Sequence, residues 1–470
     1  MTPQPGFTLE VSQNKYLPAD GEEMHAVLTV TAHGLGSFTP SVAEIILVDR
    51  SGSMGLPMTK IAAARRASAA AVDTLRDGAL FAIVAGNDGA TMVYPEHSGL
   101  VVASPETRDG AKKAVERLRD HGGTAIGTWL ARARELFASH PTTIRHAILL
   151  TDGHDVHETQ DKLEAELKAC EGLFYCDARG IGDGWNVEQL RRIVGGLRGT
   201  ADAVRQDSDI IADFEELTRT AMSKAVADLR IRIKLLPGTE LLYFKQVFLT
   251  ENDLTERGER TGERELEFAT GAWGDETHDY HLCVRSSPRH RGEDISLARV
   301  TLEAGQVGET PLKYTGSPAP ILGHWTDDRL LSSRIDDRVG HYTEHAELRT
   351  AVNAGIEAFA SGDREGAERA WGRAVKLATE LGNQRNLDRL RDLVDVVDAD
   401  TGEVRLRSDI DVRRIKVASI STFFPTRSPS GPSDTGAAAK RVVAGCRRCG
   451  RAVRPDAAFC PQCGASLADQ

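Results

Sequence analysis

The sequence predicts an α/β protein in which a doubly wound, mostly parallel sheet is inserted in a β-sandwich and followed by a small α-helical region. Three observations predict this class. Between residues 41 and 225, short apolar runs alternate with helix-forming segments, which is typical of parallel strands joined by crossover helices. On both sides of that region the pattern changes to the strict alternation of antiparallel strands. Beyond residue 335, apolar residues recur at helical spacing.

Length and composition set the broad limits. The chain has 470 residues, 40% hydrophobic and 27% charged, which is typical of soluble globular proteins with several domains. The net charge of -11 makes nucleic acid an unlikely partner, because phosphate contacts need clustered Lys and Arg. The first six residues lack the basic and apolar parts of a signal peptide, and no apolar run reaches the ~20 residues of a membrane span. We therefore expect a cytoplasmic protein without membrane contact.

The two strand-rich regions are predicted to form one β-sandwich. Residues 1–40 contain two strands, with the clearest alternation at 25–31, and alternation returns over 226–322. Two strands cannot form a stable sheet alone, so the N-terminal pair needs partners from elsewhere in the chain. The simplest arrangement joins these two regions and inserts residues 41–225 between them.

The inserted region is predicted strand by strand from its apolar runs. Strands are expected at 44–48, 80–85, 91–94, 144–150, 173–179 and near 201–205. Helices are expected at 59–75, 105–119, 126–138, 157–170 and 186–194. The turn Gly86-Asn87-Asp88-Gly89 predicts a hairpin, and therefore one antiparallel edge strand on an otherwise parallel sheet.

The C-terminal third is predicted to begin with helices. Within residues 335–400, one apolar stripe contains Val352 and a second contains Trp371, with Ser361-Gly362-Asp363 breaking the chain between them. The pair resembles a tetratricopeptide-type helical hairpin, although one unit is not a repeat array. Residues 401–440 are an ambiguous segment and a flexible linker that is rich in Ser, Pro and Gly.

Oxygen-bearing side chains follow two of the predicted parallel strands. Asp49, Ser51 and Ser53 come directly after the run at 45–48, and Asp152 follows the run at 144–150. Thr124 lies in a glycine-rich loop that opens a helix. Carboxylate and hydroxyl oxygens without imidazole or thiolate suit Mg²⁺, Mn²⁺ or Ca²⁺ and not zinc. Because neighbouring parallel strands end at the same edge of a sheet, we expect these groups to converge.

The order and spacing of these five residues resemble the von Willebrand factor type A domain with an intact metal-ion-dependent adhesion site. The resemblance covers about residues 43–222. It implies that the hydroxyls of Ser51, Ser53 and Thr124 bind a divalent cation, with Asp49 and Asp152 acting directly or through water. One coordination position would then be left for an acidic residue, Asp or Glu, of a protein partner.

A second metal pattern closes the chain at residues 441–470. Cys446, Cys449, Cys460 and Cys463 form two Cys-x2-Cys pairs, which resemble a zinc ribbon with one tetrahedral Zn²⁺. All four positions are filled by protein, which favours a structural role. The surrounding residues are basic, so weak nucleic-acid contact is conceivable, but docking to protein is the better interpretation.

These motifs favour a non-enzymatic intracellular adaptor or scaffold that binds partners through a metal. One alternative is an adaptor or regulatory subunit of an AAA-type ATPase chaperone, in which case the ATPase is a separate chain because no GxxxxGK[ST] loop is present. A less favoured alternative is a metal-dependent hydrolase that uses Asp49, Asp152 and His154. The segment that begins His157-Glu158 lacks the second histidine of an HExxH zinc site.

Overall fold

A computed structural model gives the fold of the chain. It describes residues 5–153, 158–204, 206–304, 306–307, 310–311, 316–428, 444–445 and 452–453. The chain divides into two compact units, Met1–Ser428 and Pro429–Gln470. Within the described part, no helix is both long enough and apolar enough to cross a membrane.

Strands and helices alternate over much of the first unit. The described strands are β1 (Gly6–Gln13), β2 (Tyr16–Pro18), β3 (Glu23–His33), β4 (Val42–Asp49), β5 (Leu80–Gly86), β6 (Ala90–Tyr94), β7 (Val101–Val102), β8 (Ile144–Thr151), β9 (Tyr175–Gly180), β10 (Ala201–Ala203), β11 (Leu229–Leu235), β12 (Thr239–Phe248), β13 (Asn252–Asp253), β14 (Glu259–Gly262), β15 (Glu265–Ala269), β16 (Thr277–Ser286), β17 (Ile295–Ala304), β18 (Gln306–Val307), β19 (Thr310–Pro311), β20 (Ala319–Thr326), β21 (Val394–Asp398), β22 (Glu403–Leu406), β23 (Ala444–Gly445) and β24 (Ala452–Val453). The described α-helices are α1 (Thr59–Thr74), α2 (Pro105–Glu116), α3 (Ile126–Ser139), α4 (Gln160–Cys170), α5 (Val187–Leu197), α6 (Ile210–Ser223), α7 (Arg329–Ser332), α8 (Asp337–Ala360), α9 (Arg364–Glu380), α10 (Gln384–Leu390) and α11 (Val412–Ser421).

The central sheet has the order β10-β9-β8-β4-β5-β6, with β7 also pairing with β5. Strands β10, β9, β8, β4 and β5 are mutually parallel, whereas β6 and β7 run antiparallel to β5. Every residue of β4 is buried, because helices cover both faces of the sheet and an apolar run is needed there. The predicted doubly wound sheet with its antiparallel edge is confirmed.

The helices form a layer on each face of this sheet. Helices α1, α2 and α6 pack on one face, and α3, α4 and α5 pack on the other. Helix α6, which packs against α1, was not predicted from the sequence. Its buried residues Ile210, Phe214 and Leu217 have helical spacing, so the signal was present but lay beyond the last predicted strand.

The β-sandwich is built from both sides of the insertion. One sheet has the order β1-β3-β16-β12-β13, and the other has the order β14-β15-β11-β17-β20-β2. Their inner faces share one apolar core, in which Met24 and Leu28 of the first sheet meet Ile231 and Val300 of the second. The N-terminal strands therefore complete the sandwich, and the predicted insertion of the α/β region is confirmed.

Helices α8 and α9 form the predicted helical hairpin. The Trp371 indole is fully buried and donates to the Val352 carbonyl oxygen at 3.2 Å, which joins the two helices. The ambiguous segment that follows contains β22 and α11. Helix α11 docks on the α/β domain, where the Arg413 guanidinium donates to the Val204 carbonyl at 3.1 Å and to Asp207 at 2.8 Å.

The predicted linker begins within the first unit. The Thr426 hydroxyl donates to the Leu381 carbonyl at 3.1 Å, and the Thr426 backbone N–H donates to His345 Nε2 at 3.1 Å. These two hydrogen bonds hold the start of the linker against the helices. Residues 429–443 lie outside the described residues. In the second unit, the described residues form the short antiparallel pair β23 and β24.

Candidate metal centre

The two carboxylates predicted to share a site follow adjacent strands. Strands β4 and β8 pair in parallel, with Val48 opposite Leu150, so both strands end at the same edge of the sheet. Asp49 is the last residue of β4, and Asp152 comes directly after β8. Both side chains are fully buried. The fold therefore brings together two acids that are far apart in sequence.

Asp49 organises the loop that follows its own strand. One carboxylate oxygen accepts the Ser51 backbone N–H at 2.7 Å, and the other accepts the Thr151 hydroxyl at 2.6 Å. Burial raises the pKa of Asp49 to about 6 although these hydrogen bonds oppose the change, and the nearby Asp152 carboxylate adds to the increase. Both oxygens of Asp49 are thus used inside the protein.

The two serines and Asp152 form a continuous set of oxygens. The Ser51 and Ser53 hydroxyls lie 3.0 Å apart, and the Ser53 hydroxyl donates to Asp152 Oδ1 at 2.6 Å. Ser51 is 2% exposed, whereas Ser53 is exposed and opens the set to solvent. An ion could therefore reach these oxygens from the surface.

The loop that carries Thr124 is tied to the serine loop. The Gly52 N–H donates to the Gly122 carbonyl at 2.9 Å, and the Thr124 side chain is buried. A Cβ placed on Gly153 would lie 3.4 Å from Thr124 Oγ1 and 3.8 Å from Ser53 Oγ. The two hydroxyls therefore face one space, which the missing side chain of Gly153 keeps open.

Lys60 is part of this cluster and was not predicted from the sequence. Its ammonium donates to Asp152 Oδ2 at 2.7 Å and to the Ser53 carbonyl at 3.3 Å, and the residue is 6% exposed. It lies in the first turn of α1, just after the serine loop. Thr151, which holds Asp49, was also missed. Its position directly before Asp152 is a signal that could have identified it.

The chemistry of these groups fits a hard divalent cation. The donors that converge are two carboxylates and three hydroxyls, and oxygen ligands of this kind suit Mg²⁺, Mn²⁺ or Ca²⁺. The space beside Gly153 faces hydroxyl oxygens from two different loops, as an ion-binding position requires. The residues predicted from sequence therefore lie where a cation could be held by them together.

The other candidate residues fall mainly outside the described residues. This applies to His154 and His157 of the hydrolase alternative, and to the four ribbon cysteines, Cys446, Cys449, Cys460 and Cys463. Glu158 is described, and its carboxylate accepts the Gly127 N–H at 2.8 Å near the start of α3. Glu158 thus stabilises the N-terminal end of α3.

Replacing Asp49 with asparagine is expected to stabilise the chain at pH 7 in the presence of a chelator. The pKa of Asp49 is raised from 3.8 to about 6, so its ionisation costs folding free energy that grows above pH 3.8 and is complete above about pH 6. At ~1.4 kcal/mol per pKa unit, removing this cost gives a gain of about 1–3 kcal/mol in the free energy of unfolding. The gain should shrink as the pH falls from about 6 towards 4, where the wild-type carboxyl becomes protonated. Urea unfolding at both pH values measures it.

Asp183→Asn is a suitable control, because it removes an exposed carboxylate from another loop. It should leave stability nearly unchanged in chelator. Mg²⁺ should stabilise the wild type and the Asp183 variant but not Asp49→Asn. An Asp49→Asn protein less stable than the wild type in chelator at pH 7 would contradict this account of the buried carboxylate.

Comparison with known proteins places these features in context. A family model for the von Willebrand factor type A domain matches residues 44–203, and one for a zinc-ribbon domain matches residues 446–467. No curated protein sequence gives a significant match.

Two solved structures align along almost the whole chain. The von Willebrand factor type A protein from Catenulispora acidiphila is 38% identical, with a TM-score of 0.81 over 90% of this chain and 97% of that chain. The ArnB paralog VWA2 from Sulfolobus acidocaldarius is 14% identical, with a TM-score of 0.55 over 91% of this chain and 100% of that chain. The first match is a close relative across its full length, and the second shows a similar fold.

Proposed function

The chain belongs to the von Willebrand factor type A family, and on that premise we propose that it is a non-enzymatic cytoplasmic adaptor that grips an acidic side chain of a protein partner through a divalent cation. Proteins with this domain commonly mediate protein interactions. The observation that carries the proposal is the convergence of Asp49, Ser51, Ser53, Thr124 and Asp152 at one edge of the sheet.

The roles of the five residues follow from their contacts. Ser51, Ser53, Thr124 and Asp152 would hold the cation, while Asp49 keeps the serine loop in place through the Ser51 N–H. Bound there, Mg²⁺ or a similar ion supplies an electrophilic position for an incoming carboxylate. Exposed Ser53 marks the side from which a partner would approach.

Charge at the site favours an anionic partner. The carboxylates of Asp49 and Asp152 and the ammonium of Lys60 together carry a charge of about -1 when all three are ionised. A divalent ion changes this to about +1, which attracts an Asp or Glu side chain. Lys60 therefore makes the loaded site more attractive to an acid than two carboxylates alone would.

The surface beside the site suits a protein ligand. Leu56 and Met58 follow the serine loop and are each 78% exposed, which is unusual for large apolar side chains. Near them is a cavity of about 510 Å³ whose lining includes Pro57, Phe359 and Val412. These apolar groups could contact the residues that flank a partner's acid, and they give the interface area that one ion-carboxylate contact lacks.

The contacts of the two acids favour binding over catalysis. Both oxygens of Asp49 accept hydrogen bonds from protein donors, and Asp152 is held by Ser53 and Lys60. These fixed donors hold both carboxylates in place, as ion binding requires, and use some of the lone pairs that a general base would offer to water. This supports the non-enzymatic role over the hydrolase alternative.

The C-terminal zinc-ribbon domain would add a second docking module. Zinc-ribbon domains bind zinc, and Cys446, Cys449, Cys460 and Cys463 would supply the four thiolates here. The basic residues around them suit contact with an acidic protein surface better than a long nucleic acid, given the overall charge of -11.

Affinity capture from a cell lysate tests the proposal. The tagged full-length chain is expected to retain specific partners in Mg²⁺ and to release them on chelation, and Asp49→Ala should retain none of them. Asp109→Asn, which alters an exposed carboxylate on helix α2 and not in the lining of that cavity, serves as the control and should behave like the wild type. An AAA-type ATPase among the released proteins would support the chaperone-adaptor form of the proposal. The same set of retained proteins in Mg²⁺ and in chelator would contradict the metal-dependent role.

A further inference from the structure

A second group of side chains of the types that bind metals lies on the β-sandwich and not on the α/β sheet that carries Asp49 and Asp152. Tyr243 of β12, Cys283 of β16 and His25 of β3 stand directly opposite one another across three adjacent strands. Their neighbours in the strands, such as Met24 and Leu282, point into the sandwich core. Because side chains alternate along a strand, the row that contains His25 and Cys283 lies on the outer face of the sheet.

Glu23, which precedes His25 by two residues on the same face of β3, joins His25 and Cys283 in placing ligand atoms close together. A carboxylate oxygen of Glu23, a ring nitrogen of His25 and Cys283 Sγ all lie within 4.8 Å of one another. His25 Nε2 is 3.9 Å from Cys283 Sγ. Two ligands at Zn–N and Zn–S bond lengths of about 2.0 and 2.3 Å in a tetrahedral site are roughly 3.5 Å apart, so a small side-chain adjustment would suffice. Glu23 now pairs with Arg285 at 3.0 Å and would exchange that exposed partner for the ion.

Tyr243 fixes the orientation of the His25 ring. Its hydroxyl lies 3.1 Å from His25 Nδ1 and 3.3 Å from His281 Nε2. A hydroxyl has one proton, so it can donate to one imidazole while it accepts from the other. When it donates to His281, His25 carries its proton on Nδ1 and presents the Nε2 lone pair toward Cys283. Metal-binding histidines are usually held in this way through their second nitrogen.

The cluster borders a cavity between the sheet and helix α8. The cavity has a volume of about 470 Å³, and its lining includes His25, Tyr243, His281 and His345. Cys283 itself is fully buried, whereas Glu23 is exposed to solvent. An ion could therefore enter beside Glu23 and keep one coordination position open toward the cavity.

We propose that Glu23, His25 and Cys283 form a further metal site, specific for a borderline-soft divalent cation such as Zn²⁺. Nitrogen and sulfur ligands favour Zn²⁺ over Mg²⁺, which prefers only oxygen. On binding, the Cys283 thiol releases its proton to solvent and the thiolate coordinates the ion. With three protein ligands, the fourth position is left to water or a small ligand in the cavity.

Cobalt substitution tests this site in the full-length chain. Cys446, Cys449, Cys460 and Cys463 are replaced with serine, so that the C-terminal thiolates cannot contribute. Co²⁺ is then expected to bind with one thiolate-to-cobalt charge-transfer absorption per chain, and Zn²⁺ but not excess Mg²⁺ should displace it. Ion binding at the oxygen-only site cannot give this absorption, so the two sites are distinguishable.

Single substitutions then assign the signal. Cys283→Ser should abolish it, whereas Cys170→Ser, which alters another fully buried cysteine, should leave it intact. Tyr243→Phe should weaken Co²⁺ binding about tenfold, and His25→Gln, at a half-buried position, should weaken it further. The proposal would be overturned if the chain that lacks only the four C-terminal cysteines showed no such absorption, or if the absorption persisted in Cys283→Ser. Unchanged Co²⁺ affinity in His25→Gln would also overturn it.

Discussion

Replacing His146 with leucine is expected to destabilise the first unit by about 3–5 kcal/mol, the cost of breaking a buried ion pair. His146 of β8 is fully buried between two acids of the neighbouring strands. Its Nδ1 lies 2.9 Å from Glu44 Oε2, and its Nε2 lies 3.0 Å from Asp177 Oδ2. Leucine would leave both carboxylates in the sheet without a cation between them.

The same contacts predict a pH dependence. Burial lowers the pKa of His146, but the two carboxylates outweigh burial and raise it to about 9. Because the value in the folded state exceeds the ordinary 6.5, the stabilisation is complete below pH 6.5 and is lost as the pH rises through about 9. The shift corresponds to about 3 kcal/mol. Urea unfolding of the wild type at pH 7 and pH 10 should show this loss.

An exposed histidine provides the control for this prediction. His97→Leu in the same domain should change stability by no more than about 0.5 kcal/mol at either pH. His146→Leu should also lose less stability between pH 7 and pH 10 than the wild type does. If His146→Leu were as stable as His97→Leu at pH 7, the His146 imidazole would not be acting as a cation that pairs with Glu44 and Asp177.

Replacing Asp152 with alanine is expected to weaken Mg²⁺ binding about 100-fold or more. The variant loses one proposed ligand and the acceptor that orients Ser53. It also leaves the buried Lys60 ammonium unpaired beside the position of the ion. A penalty of about 3 kcal/mol from these effects corresponds to about 100-fold in affinity. Isothermal titration calorimetry with Mg²⁺ measures it.

A double variant separates the two causes. Asp152→Ala combined with Lys60→Met removes the unpaired ammonium, so it should recover part of the lost Mg²⁺ affinity. Asp183→Asn should bind Mg²⁺ like the wild type. Unchanged affinity in Asp152→Ala would mean that the ion binds elsewhere.

The fold could be predicted from sequence where patterns are local. Strands β4 and β8 are mostly apolar because both faces of the sheet are covered, and an acid ends the first strand and directly follows the second. Two such ends in neighbouring parallel strands must meet, so the proximity of Asp49 and Asp152 followed from the strand order. Thr124 was assigned to the same site because it lies in a glycine-rich loop that opens a helix. The binding of metal by these residues stays a prediction.

Other features depend on register and side-chain reach, which local patterns do not contain. Lys60 lies on a helix rich in Ala and Arg, and nothing in its sequence neighbourhood separates it from Arg65 or Arg66. The opposition of His25 and Cys283 arises from strand pairing between residues 258 apart in sequence. Periodicity assigns each residue to a face of its own strand, but it does not predict which residue stands opposite.

The affinity of the purified chain for a captured partner, compared in Mg²⁺ and in chelator, measures how far partner binding depends on the divalent cation. Calorimetry or fluorescence anisotropy should show binding in Mg²⁺ that weakens at least about 100-fold in chelator, in line with the loss of a buried charge contact. Asp152→Ala in Mg²⁺ should bind as weakly as the wild type in chelator, and so should a partner whose contacting acid is replaced with alanine. Equal affinity of the wild type in both conditions would contradict the account.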